Sequence, residues 1–321
     1  MIKRSMIGWC KTLALTFCFT GSLLAAEQHA SLPADVHRVI FLGDSITFAG
    51  QYIVYVDDYF STRQPEAKIE FINVGVSSET TSGLSEPGHA GGAFPRPDLH
   101  ERLARVLDQI KPDLAFVCYG VNDGIYQPFD EGRFQKFKDG MTWTHEQLAK
   151  RNIKVIHLTP ATYDGWKTKN LAYNDVIAKY CEWLLAQRQA ANWQVIDMNG
   201  PMTAYLLEKR KAEPDFFYAN DGVHPNDFGH WLMAKQILIG LGAKDVEQFA
   251  TGEEMAKAVP NGDKIFQLVK QRQNNLRDTW LRETKHLRPG LPGYLYEKDD
   301  AEKKAQDTGR QIEQLLQGNK S

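Results

Sequence analysis

Five short apolar runs punctuate the chain, at Val39 to Leu42, Ile69 to Val74, Leu114 to Tyr119, Ile153 to Leu158 and Trp193 to Met198. Each is bounded by Gly, Pro, Asn or Asp, the pattern of short strands buried on both faces. Helical periods lie between them. Leu99, Leu103, Val106, Leu107 and Ile110 fall on one face of a helix. That stripe stops at Lys111-Pro112, because a residue before proline is disfavoured in the α region. Tyr173 to Gln189 and Phe228 to Leu241 also read as amphipathic helices. Continuous apolar strands alternating with helices predict a parallel sheet covered on both faces. Right-handed crossovers then wind it into a three-layer α/β/α sandwich.

Residues 244–321 have a different pattern, without a good strand and rich in Lys, Glu, Gln and Asp. Ile265, Leu268, Val269, Leu276, Trp280, Leu281 and Leu287 suggest one long helix ending near Pro289-Gly290. A Pro/Gly turn and a charged helix around Ala301 to Leu316 follow. The expectation is a C-terminal helical extension of a sheet domain at residues 27–243, packed on its core or partly mobile. A rim narrowing the functional site, or a dimer contact, is the alternative.

Residues 1–26 stand apart. Lys3, Arg4 and Lys11 precede the apolar stretch Leu13 to Phe19, Gly21 and Ser22 break it, and Leu24-Ala25-Ala26 offers a small-residue cleavage point. This is the layout of a signal peptide. The apolar run falls short of the roughly 20 residues that span a bilayer, so no membrane anchor is expected after cleavage. Bulky Phe17 before Cys18 argues against a lipid anchor. The expected location is secreted or periplasmic.

Composition adds exclusions. With 42% hydrophobic and 24% charged residues the chain is not disordered. The 38 Lys and Arg against 40 Asp and Glu leave no cationic excess for nucleic acid. Cleavage after Ala26 would remove three of those cations and move the net charge from -2 to -5. It would also remove Cys10 and Cys18, leaving Cys118 in a strand and Cys181 on a helix, two buried thiols rather than a disulfide. No cysteine pair has zinc-like spacing.

Four segments carry candidate chemistry. Gly43-Asp44-Ser45-Ile46 follows the first strand, where a serine hydroxyl is exposed beside helix N–H groups. The plainer reading is a helix N-cap. Asp221-Gly222-Val223-His224-Pro225 precedes the last helix of the sheet domain. The Asp-x-x-His spacing lets the carboxylate hold one ring N–H while the other nitrogen takes a proton; a polar capping turn is the alternative. Asn73-Val74-Gly75 closes the second strand, where a glycine can present an unobstructed N–H. Gly120-Val121-Asn122-Asp123 closes the third, where Asn122 can offer a side-chain amide. An ordinary turn glycine and a turn asparagine are the bland readings. All four segments fall at strand carboxyl ends or in the final loop, the ligand-binding edge of a doubly wound sheet.

The ordered set Gly43-Asp44-Ser45, Gly75, Gly120-x-Asn122-Asp123 and Asp221-x-x-His224 resembles the SGNH/GDSL hydrolase family over about residues 37–242. The resemblance implies a flavodoxin-like five-stranded sheet in the order 2-1-3-4-5 and no cofactor. It implies Ser45 as nucleophile, His224 as base and Asp221 as its orienter. The oxyanion hole would be the Ser45 and Gly75 N–H groups with the Asn122 side chain. Ser78 departs from the pattern, since many relatives carry glycine there, and this can alter the loop or the acyl pocket.

Substrate is read from the surroundings. The loop Glu79 to Pro97 should border the serine, and Tyr126, Phe129, Tyr163 and Trp166 follow the third and fourth strands. Exposed aromatics there would suit sugar stacking, though core packing is the commoner use. His89 and His157 are conceivable ligands, but no metal spacing supports them, and no metal is expected. Export, a polar Gly-rich rim and no long apolar lid favour a soluble carbohydrate ester, acetyl first, over a lipid film. A lipid-directed esterase, a non-catalytic carbohydrate-binding module and a protein–protein scaffold are the alternatives.

Overall fold

The computed structural model describes residues 29–290 and 296–318; the expected signal peptide, residues 1–26, lies outside them. Five strands form one sheet: β1 (Arg38–Gly43), β2 (Glu70–Asn73), β3 (Leu114–Cys118), β4 (Lys154–Leu158) and β5 (Gln194–Ile196). All pairs are parallel and the order is β2-β1-β3-β4-β5. The pairings Phe41 with Asn73 and Gly43 with Cys118 bring the carboxyl ends of β2, β1 and β3 to one edge.

Alternate side chains of β1 feed two cores, as the two-residue strand period requires. Val39 and Phe41 meet one layer of helices, Ile40 and Leu42 the other. The first layer holds α1 (Ser45–Ala49), α2 (Gln51–Arg63), α7 (Asn199–Ala212) and α8 (Asp227–Gly240). The second holds α3 (Leu99–Ile110), α4 (Glu131–Ala149) and α6 (Ala172–Ala190), with the short α5 (Gly165–Thr168) before α6. The apolar stripe of α3 is wholly buried, and the helix stops at Lys111 with φ 52°. Cys118 and Cys181 are buried free thiols.

Beyond the short α9 (Gly252–Lys257) come α10 (Gly262–Thr284) and α11 (Lys298–Gln317). Here α10 packs on α2, β2 and α3, and α11 packs on α10. From α10, Gln273 donates to the Phe71 carbonyl of β2 at 2.8 Å and to Asp57 of α2 at 2.7 Å. The helix thus covers an edge strand whose unpaired backbone would otherwise invite another chain. Arg277 donates to the Phe48 carbonyl at 3.1 Å and lies 4.7 Å from that ring, so α10 also braces α1.

Candidate active site

At the end of β1 the chain must turn at once into α1. Gly43 is needed there, because a Cβ would sit 2.1 Å from Thr47 Oγ1 and 2.8 Å from the Cys118 carbonyl oxygen. Asp44 caps α1, its carboxylate accepting the Ile46 N–H at 2.9 Å. Burial pushes the Asp44 carboxyl up to about 7; the Ile46 bond opposes this, and nearby Asp123 and Glu79 add to it. Ser45 is therefore the first residue of α1 rather than its cap, and its own N–H is one of the helix's free donors.

The loop before α8 carries the partners. Ser45 Oγ lies 2.8 Å from His224 Nε2. His224 Nδ1 lies 2.6 Å from Asp221 Oδ2, while Asp221 Oδ1 accepts the N–H groups of Val223 at 2.9 Å and His224 at 2.8 Å. Partial burial pushes the Asp221 carboxyl up, but the hydrogen bonds from the His224 ring and these two N–H groups outweigh it and hold it below its ordinary value. The loop is anchored where the Asp164 N–H donates to the Gly222 carbonyl at 2.8 Å, with Gly222 at φ 80°. His224 and Asp221 side chains are 49% and 56% exposed, so the site is open. A groove of about 410 Å³ lined by Phe60, Arg272 and Ile312 lies elsewhere and holds none of these residues.

Asn122 follows β3, buried, with Oδ1 accepting from Arg96 Nη1 at 2.9 Å and Tyr126 OH at 3.2 Å. Its Nδ2 reaches the Glu79 carbonyl at 3.3 Å. The loop opposite is held from below: buried Glu79 takes two bonds from Arg102 at 2.6 and 2.7 Å and one from Tyr119 OH at 2.6 Å. Asp123 Oδ1 accepts the Thr81 and Ser82 N–H groups at 2.8 Å each.

Gly75 is the backbone donor expected at the end of β2. Its N–H donates to Asn73 Oδ1 at 2.9 Å and is already spent. It must be glycine for packing, since a Cβ would lie 2.5 Å from the Phe48 nitrogen of α1. Ser78, three residues on, holds φ 70° in the left-handed region, and its N–H meets no acceptor among the described residues. Its carbonyl lies 3.5 Å from the Arg96 nitrogen that binds Asn122. The signal for Ser78 in the sequence was its departure from glycine; Arg96 had none.

Of the four aromatics expected near the site, Trp166 alone is exposed, at 52%. Tyr163 is buried, Tyr126 stacks on Tyr173 at 5.0 Å and Phe129 packs on Phe134 at 5.6 Å. Trp166 sits beside the Asp164–Gly222 contact, with the Arg210 guanidinium 4.8 Å from its ring and tied to Asp164 at 2.5 Å. His89 bonds Glu86 at 3.2 Å and His157 lies 3.0 Å from His145. Among the described residues no group of three His, Cys, Asp or Glu is placed to hold a metal.

A parallel sheet that sets a serine after its first strand, under an Asp-x-x-His loop, is the build of a serine ester hydrolase. Residues 41–232 match the model of the GDSL-like lipase/acylhydrolase family, and the chain belongs to that family. Among solved structures it is similar to a gut microbial diltiazem-metabolizing enzyme, with TM-score 0.54, 23% identity and 67% of this chain covered; the match spans only 49% of that enzyme. Axe2, an acetylxylan esterase from Geobacillus stearothermophilus, matches with TM-score 0.51 and 20% identity over 64% of this chain and 94% of Axe2. The acetyl xylan esterase AlAXEase matches with TM-score 0.51 and 26% identity over 62% of this chain and 97% of its own. No curated protein sequence matches.

Proposed function

We propose that this chain is an exported esterase that removes small acyl groups, acetyl first, from carbohydrate through an acyl-enzyme on Ser45. The observation that carries the mechanism is the hydrogen-bonded line from Ser45 Oγ to His224 Nε2 at 2.8 Å and from His224 Nδ1 to Asp221 at 2.6 Å. Ser45 Oγ attacks the ester carbonyl as its proton passes to Nε2, and Asp221, held ionised, stabilises the imidazolium. The carbonyl oxygen becomes an oxyanion facing the Ser45 N–H, the Asn122 amide and the Ser78 N–H, which replaces Gly75 in the expected set. His224 returns the proton to the departing sugar oxygen. Water, deprotonated by the same imidazole, then attacks the acyl-serine and releases the acid.

Support for carbohydrate comes from three sides. The His224 and Asp221 side chains are half exposed, which leaves room for a bulky soluble substrate. Trp166 offers a ring fixed by Arg210 beside the catalytic loop, suited to stacking on a sugar. AlAXEase, an acetyl xylan esterase, is 26% identical. Export rests on residues 1–26 alone. Among the described residues no helix is long and apolar enough to cross a membrane.

Acetate release from acetylated xylo-oligosaccharides, set against chromogenic esters of rising chain length, tests the reading. The expected result is turnover of the sugar acetates and a steep fall beyond short acyl chains. Rising activity on long chains would favour a lipid-directed esterase, and sugar binding without turnover a carbohydrate-binding module.

A further inference from the structure

The Asn122 amide has two nearly isosteric orientations, and only one turns its NH2 toward a substrate carbonyl. Two donors converge on Oδ1, Arg96 Nη1 at 2.9 Å and Tyr126 OH at 3.2 Å. They are not equivalent. A tyrosine hydroxyl can also accept, so Tyr126 would tolerate a flipped amide. A guanidinium has five donors and no acceptor, so it rejects one.

We propose that Arg96 is the positioning residue of the oxyanion hole, locking the Asn122 amide with its NH2 toward the substrate; this rests on the oxyanion role given to Asn122 above. Arg96 is well placed to impose that orientation because it is itself pinned. Its side chain is 5% exposed. Its Nε and Nη2 each donate to Glu86 at 2.6 Å, and its guanidinium lies 5.3 Å from the Tyr126 ring. The bidentate pair fixes the plane of the fork, so Nη1 is aimed at Asn122 rather than merely near it. One Nδ2 hydrogen is taken by the Glu79 carbonyl at 3.3 Å, and the other is left for the substrate. The cation on Oδ1 also draws electron density from the amide nitrogen, which makes that remaining N–H a stronger donor. The same Nη1 lies 3.5 Å from the Ser78 carbonyl, so one guanidinium touches both residues that flank the proposed hole.

A loop latch with no part in catalysis would show the same static contacts. A double-mutant cycle on 4-nitrophenyl acetate separates the two roles, with melting temperature recorded for each variant. Arg96→Met should lower kcat about 10- to 100-fold, less than loss of the donor itself, and leave KM within about two-fold. Combined with Asn122→Ala it should cost nothing further, because there is no amide left to orient. Arg96→Lys should fall between, since one ammonium cannot serve both Glu86 and Asn122. Should Arg96→Met not fold, Arg96→Lys carries the same cycle, losing kcat only while Asn122 is present, whereas Tyr126→Phe, whose hydroxyl does not set the amide, should keep kcat near wild type. Losses that multiply in the double variant, or Arg96→Met at wild-type kcat while Asn122→Ala is crippled, would overturn the positioning role alone. Asn122→Ala at full kcat would overturn the oxyanion reading and the positioning role together.

Discussion

Ser45 Oγ and His224 Nε2 are 2.8 Å apart although 179 positions separate them in the chain. One sits on the turn leaving β1, the other on the loop entering α8, and the sheet brings both to its carboxyl edge. Ser45→Ala removes a small, half-buried side chain and should leave the melting temperature within a degree or two of wild type. By comparison with triad knockouts, kcat should drop on the order of 10⁴- to 10⁶-fold. Assaying purified, folded variant against wild type on one chromogenic acetate checks this.

Asp221 separates the cap from the chemistry. Asp221→Asn keeps Oδ1 for the Val223 and His224 N–H groups, so the loop should stay folded. Its amide, however, can present NH2 to Nδ1 and favour the wrong tautomer, and kcat should fall on the order of 10⁴-fold. The wild-type Asp221 carboxyl is held low, so its charge is in place above the ordinary carboxylate range and is lost only as pH falls through that lowered value. An acid limb of kcat/KM above that range therefore does not come from Asp221. Its loss in His224→Ala, read from a pH–rate profile of the residual activity, is the expected outcome.

Ser78 and Gly75 make opposite predictions. Ser78→Gly relieves a left-handed φ of 70° and keeps the N–H. It should gain about 0.5–1 kcal/mol of stability with kcat nearly unchanged. Gly75→Ala forces a Cβ against the backbone of α1, which carries Ser45. It should lose both stability and activity. Urea unfolding with parallel kinetics on the two variants distinguishes them.

The sheet was legible because its strands are buried on both faces and so read as short continuous apolar runs. Their pattern even placed α3, Leu99–Ile110, at its observed ends. In contrast, α2 left no period to read: Tyr52 through Phe60 are all buried, since α2 is sandwiched between the sheet and α10. The loop before α8 announces itself because Asp221 and His224 are three residues apart. Arg96 could not be read the same way. It meets Asn122 from 26 positions away, through a loop whose course only the tertiary fold sets. Gly75 is ambiguous for a related reason, as a glycine required for close packing looks the same in sequence as one that offers an N–H. Tyr163 likewise followed a strand end yet turned into the core.

His157 on β4 should make the fold acid-sensitive. Burial first, and then the neighbouring His145, push its pKa down to about 3. An unfolded histidine titrates near about 6.5, so the contribution is fully present above that value and is lost as pH falls toward the folded one. Buried Asp44 and Asp58, raised to about 7, work in the opposite direction, so the comparison must be with a variant. The stability difference between wild type and His157→Gln should shrink by up to about 1.4 kcal/mol per pH unit below about 6.5. Denaturant unfolding of both at pH 7 and pH 5.5 measures it. A difference independent of pH would mean that His157 is not held neutral.

Ester hydrolysis through a covalent intermediate on Ser45 leaves a nucleophile that can be trapped. A serine-reactive phosphonate followed by peptide mass spectrometry tests it most directly. One adduct is expected, on the Ser45 peptide, with loss of acetate release from an acetylated xylo-oligosaccharide in step with labelling, and no adduct on Ser45→Ala. Labelling at another residue, or undiminished labelling and turnover in Ser45→Ala, would contradict it.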